Sequence, residues 1–304
     1  MNTPTKIKSF CVQLNGLSVA GSRTGVSTMA VARLDDYVLG SSDAEYQRLA
    51  RQAETLAPLT DRLLAFARVG AGQRVLDVGS GVGHVSELIA KRVGTGGTVT
   101  AIDRDEQALE RARERFAADD LRQIQCIATE LADFVPTFRF DAIVGRFVWL
   151  FLPDPVAALA HVARWVRPGG MLAFQEPQWD AFMACVAHLP LHSACGRVAV
   201  DTLSGAGAHP NMAASLFQGM KRAGVTEPSV QVEVCGARMA GDRRWLPELL
   251  MTLSQRWAAL RIDASPLGDL ATLAQRLDAE ACDAGSYSPL VGIVSCWGIL
   301  GTQQ

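Results

Sequence analysis

The chain has 304 residues, 49% of them hydrophobic and 20% charged, with a formal net charge of −2. That composition supplies a full apolar core and excludes a disordered chain, and the near-neutral charge excludes the broad basic field that nonspecific nucleic-acid binding requires. The seven cysteines, at 11, 126, 185, 195, 235, 282 and 296, are odd in number and include no Cys-x-x-Cys. Free thiols in a reducing compartment fit this usage better than a disulfide framework or a zinc site.

Residues 1–36 read as a polar lead-in. They start basic, but Gln13, Asn15 and Gly16 interrupt any secretory apolar core, and no run of about 18 apolar residues follows anywhere in the chain. A cytoplasmic protein without a membrane span is the expectation. Residues 37–72 form an expected helical cap. Ser42-Asp43-Ala44-Glu45 fits a capping box, and Leu49, Ala53 and Leu56 share one face of the helix it opens. Pro58 is expected to interrupt that helix, with a second one running to about Arg68 before Gly70 and Gly72.

Over 73–177 strand and helix patterns alternate. Strands are predicted at 74–79, 98–103, 124–129, 141–146 and 171–176, with helices at 84–92, 105–117 and 154–167. Asp154 and Pro155 suit the N-cap and first turn of the third helix, and Arg167-Pro168-Gly169-Gly170 ends it. Near-continuous apolar strands separated by amphipathic helices specify a parallel sheet covered on both faces. The remainder, 178–304, is read as lid, inserted helices and last strands. A loop-rich lid over 177–210 precedes a helix at 211–223 and a strand at 230–234; helices at 243–262 and 266–282 then stand before a last strand within 289–300.

The stretch RVLDVGSGVGHVS (74–86) places Gly79, Gly81 and Gly83 directly after the first strand. A dinucleotide fingerprint would put its third small residue at 84, which is His84, and a phosphate-binding Walker loop needs a lysine that this loop lacks. Asp103, at the end of the next strand, can accept from both hydroxyls of a ribose. This suits a nucleoside without a pyrophosphate, such as S-adenosylmethionine.

VLDVGSGVGHVS, VTAIDRD (99–105), ATELADF (128–134), FDAIVGRFVWLFLPDP (140–155) and RWVRPGGMLAFQEP (164–177) occur in order. Together they resemble the motifs of class I S-adenosylmethionine-dependent methyltransferases, of the type that includes ubiquinone/menaquinone C-methyltransferases and natural-product enzymes. The resemblance covers about 74–177 and, more weakly, 37–52. It implies an α/β fold: a doubly wound, mostly parallel seven-stranded sheet, Rossmann-like, with an N-terminal helical segment and helical lid insertions. It implies S-adenosyl-L-methionine as cofactor. Gly79, Ser80 and Gly81 would lie against its methionine tail, with Gly83 allowing close packing and Asp77 beside them. Asp103 would take the ribose, Arg104 would pack over the adenine, Glu130 would accept from its amino group with Thr129 beside it, and Leu131 would lie against the ring. A carbonyl of Gly145 or Arg146 would take the ammonium, and Tyr37 would lid the cofactor. The family usually has Gly-Asp where this chain has Thr129-Glu130. The competing structural roles are a helix cap for Asp103, a solvated carboxylate for Glu130, pairing of Arg146 with Asp77 or Glu176, and core packing for Tyr37.

Methyl displacement from a sulfonium mainly needs alignment and dryness, so no fixed catalytic signature is expected. Glu176, His188 and His192 are the candidate bases, and Phe147, Glu176, Trp179 and Met183 the candidate substrate-pocket residues. Trp245, Met251 and Trp257 fall in the expected lid and fit either a helix core or the pocket. His188 and His192 are four apart, but Pro190 between them argues against a helical metal pair, so no metal is expected. The Asp/Asn-Pro-Pro-Tyr/Phe motif of exocyclic-amine methylation is absent. The expected acceptor is therefore a small molecule, of secondary metabolism by resemblance, with no nucleic acid or membrane as partner and with room for a homodimer. The alternatives are a non-methylating enzyme on the same scaffold, such as a cyclase, and a non-catalytic cofactor-binding module; a dehydrogenase is disfavoured.

Overall fold

The structure is a computed structural model and describes residues 43–237 and 242–301, all within the unit Arg33–Gln304. Tyr37, Ser42 and the polar lead-in lie outside the described residues. Seven strands form one sheet: β1 (Arg74–Val78), β2 (Thr98–Asp103), β3 (Ile124–Ala128), β4 (Phe140–Arg146), β5 (Val166–Pro177), β6 (Ser229–Glu233) and β7 (Ile293–Ile299). Their order is β3-β2-β1-β4-β5-β7-β6. The first five are parallel, and β7 runs antiparallel to both β5 and β6. The order reverses between β1 and β4, and ligands of open parallel sheets sit at the carboxyl ends of such strands.

Alternation along the strands divides the core in two. Val75, Val99, Ala142 and Val144 pack with Leu63 and Leu64 of α1 (Asp43–Phe66) and with Val85 and Ile89 of α2 (His84–Val93). Leu76, Ile102, Ile143 and Leu172 face the other way, toward Leu159 of α4 (Pro155–Val162) and Leu216 of α7 (Ala213–Arg222). Period-two alternation between two apolar layers is what a sheet covered on both faces demands. Between β2 and β3, α3 (Glu106–Ala118) buries Ala108, Leu109, Ala112 and Phe116.

Two expectations are corrected. Pro58 does not break α1, which runs unbroken from Asp43 to Phe66. Pro58 lies on the exposed side, so the carbonyl that loses its N–H partner can turn to water. The 177–210 segment is helical rather than loop-rich, with α5 (Trp179–Cys185) and α6 (Pro190–Gly205). Pro190 is the first residue of α6, where a missing N–H costs nothing. Between β6 and β7 stand α8 (Trp245–Leu260) and α9 (Leu273–Asp283), as the order of patterns foretold. They pack with α5 and α6 in a third apolar cluster around Trp179, Phe182, Leu250 and Leu253. Three edges differ. The helix expected to 167 stops at Val162, β5 begins at Val166, and the helix expected from 266 is two short 3-10 turns before α9.

Candidate functional site

The glycine loop gets its shape from backbone sterics. Gly79, Gly81 and Gly83 all have positive φ, at 63°, 52° and 82°, a region that side-chain-bearing residues rarely adopt. A Cβ at Gly79 would collide with Val148, and one at Gly83 with the Phe116 ring of α3. A Cβ at Gly81 would meet nothing within 4 Å, so the loop's middle glycine faces open space at the sheet's carboxyl edge. The loop is stapled to β2: Ser80 N–H donates to Ile102 O at 3.0 Å, and Gly81 N–H to Asp103 Oδ2 at 2.7 Å.

Asp103 Oδ1 accepts from Asp105 N–H at 2.9 Å. The cap of α3 is Asp105, which accepts from Gln107 and Ala108 N–H, so Asp103 is spared that structural task. Each Asp103 oxygen keeps a second lone pair for a ligand donor. Burial pushes the Asp103 carboxyl up, opposed by those two backbone donors. Thr129 N–H donates to Asp103 O at 2.9 Å, which ties the end of β3 to the end of β2. Arg104 and Glu130 are exposed and Leu131 half-buried beside that corner.

Beneath the loop lies a chain of buried polar groups. Asp77 accepts from Ser86 Oγ at 2.5 Å, and burial pushes its carboxyl up to about 7. Arg146 Nη1 donates to Thr60 Oγ1 at 2.9 Å; Thr60 donates to Gln175 Oε1 at 2.7 Å; Gln175 Nε2 donates to Ser295 Oγ at 3.1 Å. Burial lowers Arg146 to about 10, and the negative charge of Asp77 opposes this. Arg146 forms no ion pair with Asp77 or Glu176 among the described residues. Thr60, Gln175, Ser86 and Ser295 were not foreseen, because their role depends on contacts 9 to 120 residues away in sequence.

His84 opens α2. Burial, then the charges of Arg115 and Arg146, push its imidazole down to about 4. Its Nε2 and the Ser80 hydroxyl are buried without a hydrogen-bond partner among the described residues. Phe147, at the end of β4, has φ +59°, a strained value for an aromatic residue. Sequence reading placed Phe147 near the substrate but had no signal for the strain.

The candidate bases have other tasks. Glu176 is 0% exposed, and its carboxylate accepts from the N–H groups of Val148, Trp149 and Leu150 at 2.8, 3.0 and 3.2 Å. It braces the turn after β4 rather than facing the crevice; burial pushes it up to about 8 against those donors. His192 is buried with Nδ1 2.7 Å from Glu280 and Nε2 2.8 Å from Ser288, while His188 Nε2 lies 2.9 Å from Ser286. His192 therefore ties α6, and His188 the turn before it, to the segment before β7. Trp179 is buried against Phe182 and Trp245, and Met183 packs on the same cluster, so these two are walls rather than free pocket groups. Trp245 and Trp257 pack on that cluster too, while Met251 is exposed. No group of three potential metal ligands occurs among the described residues, and no described helix is long and apolar enough to cross a membrane.

Comparison with known proteins places this geometry. Residues 75–170 match the family described as "Methyltransferase domain". Aklanonic acid methyltransferase DauC of Streptomyces sp. (strain C5) is 35% identical over 46% of this chain and 63% of its own length. A ubiquinone biosynthesis O-methyltransferase of Idiomarina loihiensis is 42% identical over 34% of this chain and 42% of its own. The chain thus spans under two thirds of the curated relatives it matches. Two solved structures share the fold alone: the (4+2)-cyclase SpnF (TM-score 0.51, 19% identity, 81% of this chain and 82% of that one) and the YcgJ protein of Bacillus subtilis (TM-score 0.52, 14% identity, 80% and 98%). Residues 75–170 of this chain thus match a methyltransferase domain, and the two curated relatives above carry methyltransferase names.

Proposed function

We propose that the protein transfers a methyl group from S-adenosylmethionine to a small molecule by direct displacement. The observation that carries this is the Asp103–glycine-loop corner. A carboxylate with lone pairs to spare stands beside a glycine that opens onto space, with two partnerless buried polar atoms, Ser80 Oγ and His84 Nε2, in the same loop. Buried polar groups without partners are rare in native proteins and mark places where a ligand or water completes the bonding.

The residues fit the cofactor as follows. Asp103 binds the ribose hydroxyls, Arg104 and Leu131 flank the adenine, and Thr129 and Glu130 meet its amino edge. Gly79, Ser80 and Gly81 bed the methionine tail, Gly83 closes the loop against Phe116, and Gly145 and Arg146 stand by the ammonium. The cofactor supplies a methyl group already activated on sulfur. The chain's own residues hold the reactants in line and keep water out. Arg146, fixed through Thr60 and Gln175, and Phe147 form the floor where β4 ends, and the aromatic cluster of α5 and α8 covers it. His84 is neutral at neutral pH, so it binds as a dipole and adds no charge against the sulfonium.

Calorimetric titration with S-adenosylhomocysteine and with NAD tests the cofactor. Binding of the former alone is expected, and Asp103→Ala should weaken it at least tenfold, the loss of charge-assisted bonds to two hydroxyls. Stabilisation by NAD alone overturns the reading. Product analysis with an acceptor panel tests the reaction: S-adenosylhomocysteine plus a product heavier by one methylene supports transfer, and an unchanged cofactor alongside a converted acceptor rejects it.

A further inference from the structure

The sheet ends in two edge strands, β3 and β6, and they are protected differently. Beside β3 lies a groove lined by Arg113, Asp120 and Arg122, and no large apolar side chain of that strand is exposed. Charges along an edge keep its free N–H and C=O groups from pairing with another chain. β6 carries no such guard. Its sequence, Ser229-Val230-Gln231-Val232-Glu233, holds no proline and no cation, and its register with β7 runs without a bulge. Val230 and Val232 are 40% and 46% exposed.

Apolar side chains gather at this edge on both faces of the sheet. Val230 and Val232 stand opposite Cys296 and Val294 of β7, which face the α7 layer. Phe217, on α7, is exposed on that side. On the other face Trp297, opposite Ser229, stacks on Phe66 of α1 with ring centroids 4.8 Å apart, and both Phe66 and Ile299 are exposed. The one charged residue of β6, Glu233, is already paired with Arg62 of α1. An unguarded edge with exposed apolar groups on both sides is the signature of an interaction surface.

We propose that β6 joins a second copy of this chain, edge to edge and antiparallel, about a two-fold axis at Gln231, so that the two sheets run on as one. The strand is self-complementary in this register: Gln231 meets Gln231 of the other copy, Val230 meets Val232, and Ser229 meets Glu233. The valines of both copies then form one apolar row on the α7 face, which the two Phe217 rings flank. Each Glu233 carboxylate falls opposite a serine, so the axis sets no charge against its own image. A slip of one residue would set Val232 against Gln231 and break the row. An identical strand is the occupant that meets all of these conditions at once. The interface uses no residue of the glycine loop or of the β4 end, so it stands apart from the methyltransferase reading.

Sedimentation equilibrium of the full chain tests it. A concentration-dependent dimer is expected, and Val232→Lys, which puts a charge into the apolar row, should raise its dissociation constant at least tenfold. Gln125→Lys, the same kind of change on the β3 edge, should leave that constant unchanged. Val232→Lys should keep the parent far-UV circular dichroism and urea midpoint, which separates a lost interface from a lost fold. Cysteine crosslinking reads the register. Gln231→Cys should give a dimer linked through position 231 under mild oxidation, because facing Cα atoms lie about 5 Å apart; Ser229→Cys should not link to itself, its two Cα atoms being about 14 Å apart. The proposal is overturned by a chain that stays monomeric, by a dimer indifferent to Val232→Lys, or by linkage at 229 and not at 231. A monomer whose β6 amides are protected from hydrogen exchange overturns it as well, and shows the edge to be covered from within the chain.

Discussion

The segment from β1 to β3 and the lid of α5, α6, α8 and α9 are held together differently. In the first, glycines with positive φ, backbone staples and caps fix the chain over at most a few tens of residues: Asp105 on Gln107 and Ala108, Gly81 on Asp103, Gly83 against Phe116. In the lid, the fixing contacts join residues far apart: His192 with Glu280, Trp179 with Trp245, and Arg51 of α1 with Glu248 of α8. A region organised by backbone sterics resists side chains at its positive-φ turns, most of all where a Cβ would also collide, as at Gly79 and Gly83. A region organised by side-chain pairs fails gradually, pair by pair.

The sharpest test of that contrast is Gly83→Val. The new side chain meets both a φ of +82° and the Phe116 ring, so strain and overpacking add. A loss of about 4 kcal/mol or more is expected in urea unfolding, enough to unfold much of the population. Glu280→Gln should cost less, about 2 kcal/mol, since the amide keeps one acceptor for the N–H groups of Leu191 and His192 but loses the charge. If Glu280→Gln proved the more damaging of the two, the lid and not the glycine loop would be the rigid part.

Proton linkage separates the two regions by sign. Asp77 and Glu176, in the sheet, have carboxyls raised by burial to about 7 and about 8. Their folded forms keep protons that the unfolded chain has lost, so their contribution is fully present below about pH 4 and declines as pH rises through 7 and 8. Glu280, in the lid, is the reverse. Burial pushes its carboxyl up, but His192 and two backbone N–H groups outweigh this and hold it below the ordinary value. Its contribution is present above the unfolded pKa and is lost as pH falls. The urea midpoint of the whole chain is therefore expected to fall between pH 5 and 8, and Asp77→Asn should flatten the part of that fall below about 7. The gap between Glu280→Gln and the parent should narrow at pH 4. A midpoint that rises from pH 5 to 8 would contradict the assignment for the sheet carboxyls.

The same contrast explains what the sequence disclosed. The alternation of β1, β2 and β4, the glycine spacing and the Asp154-Pro155 start of α4 are local, and each was legible within a ten-residue window. Pro190 obeys the rule that placed Pro155, yet it read as a loop breaker because the helix after it has small residues and a weak apolar face. Glu176 read as a crevice group because its partners are backbone N–H groups of residues 148–150, which leave no mark in side-chain pattern. The Thr60–Gln175–Ser295 relay joins three chain segments and needs the fold before it exists. The acidic corner at Asp103 was found because strand end and loop follow one another closely; the contact of Thr252 in α8 with Glu45 in α1 was not.

The smallest expected effect comes from Pro58, where a local rule and the tertiary structure disagree. Proline in a helix interior removes one hydrogen bond and crowds the preceding turn, at a typical cost of about 3 kcal/mol. Here the ring is exposed and α1 continues past it, so part of that cost is relieved by water on the open carbonyl. Pro58→Ala restores the N–H but also frees the unfolded chain, which takes back about 0.4–1 kcal/mol. The net expectation is a gain of about 1 kcal/mol, seen as a rise of a few degrees in Tm. Thr60 stands two residues on and holds Arg146. If the proline serves only as a tolerated irregularity, S-adenosylhomocysteine affinity stays the same while Tm rises. If its bend is what brings Thr60 to Arg146, affinity falls as stability rises, and α1 joins the regions whose geometry is set by backbone sterics rather than by side-chain pairing.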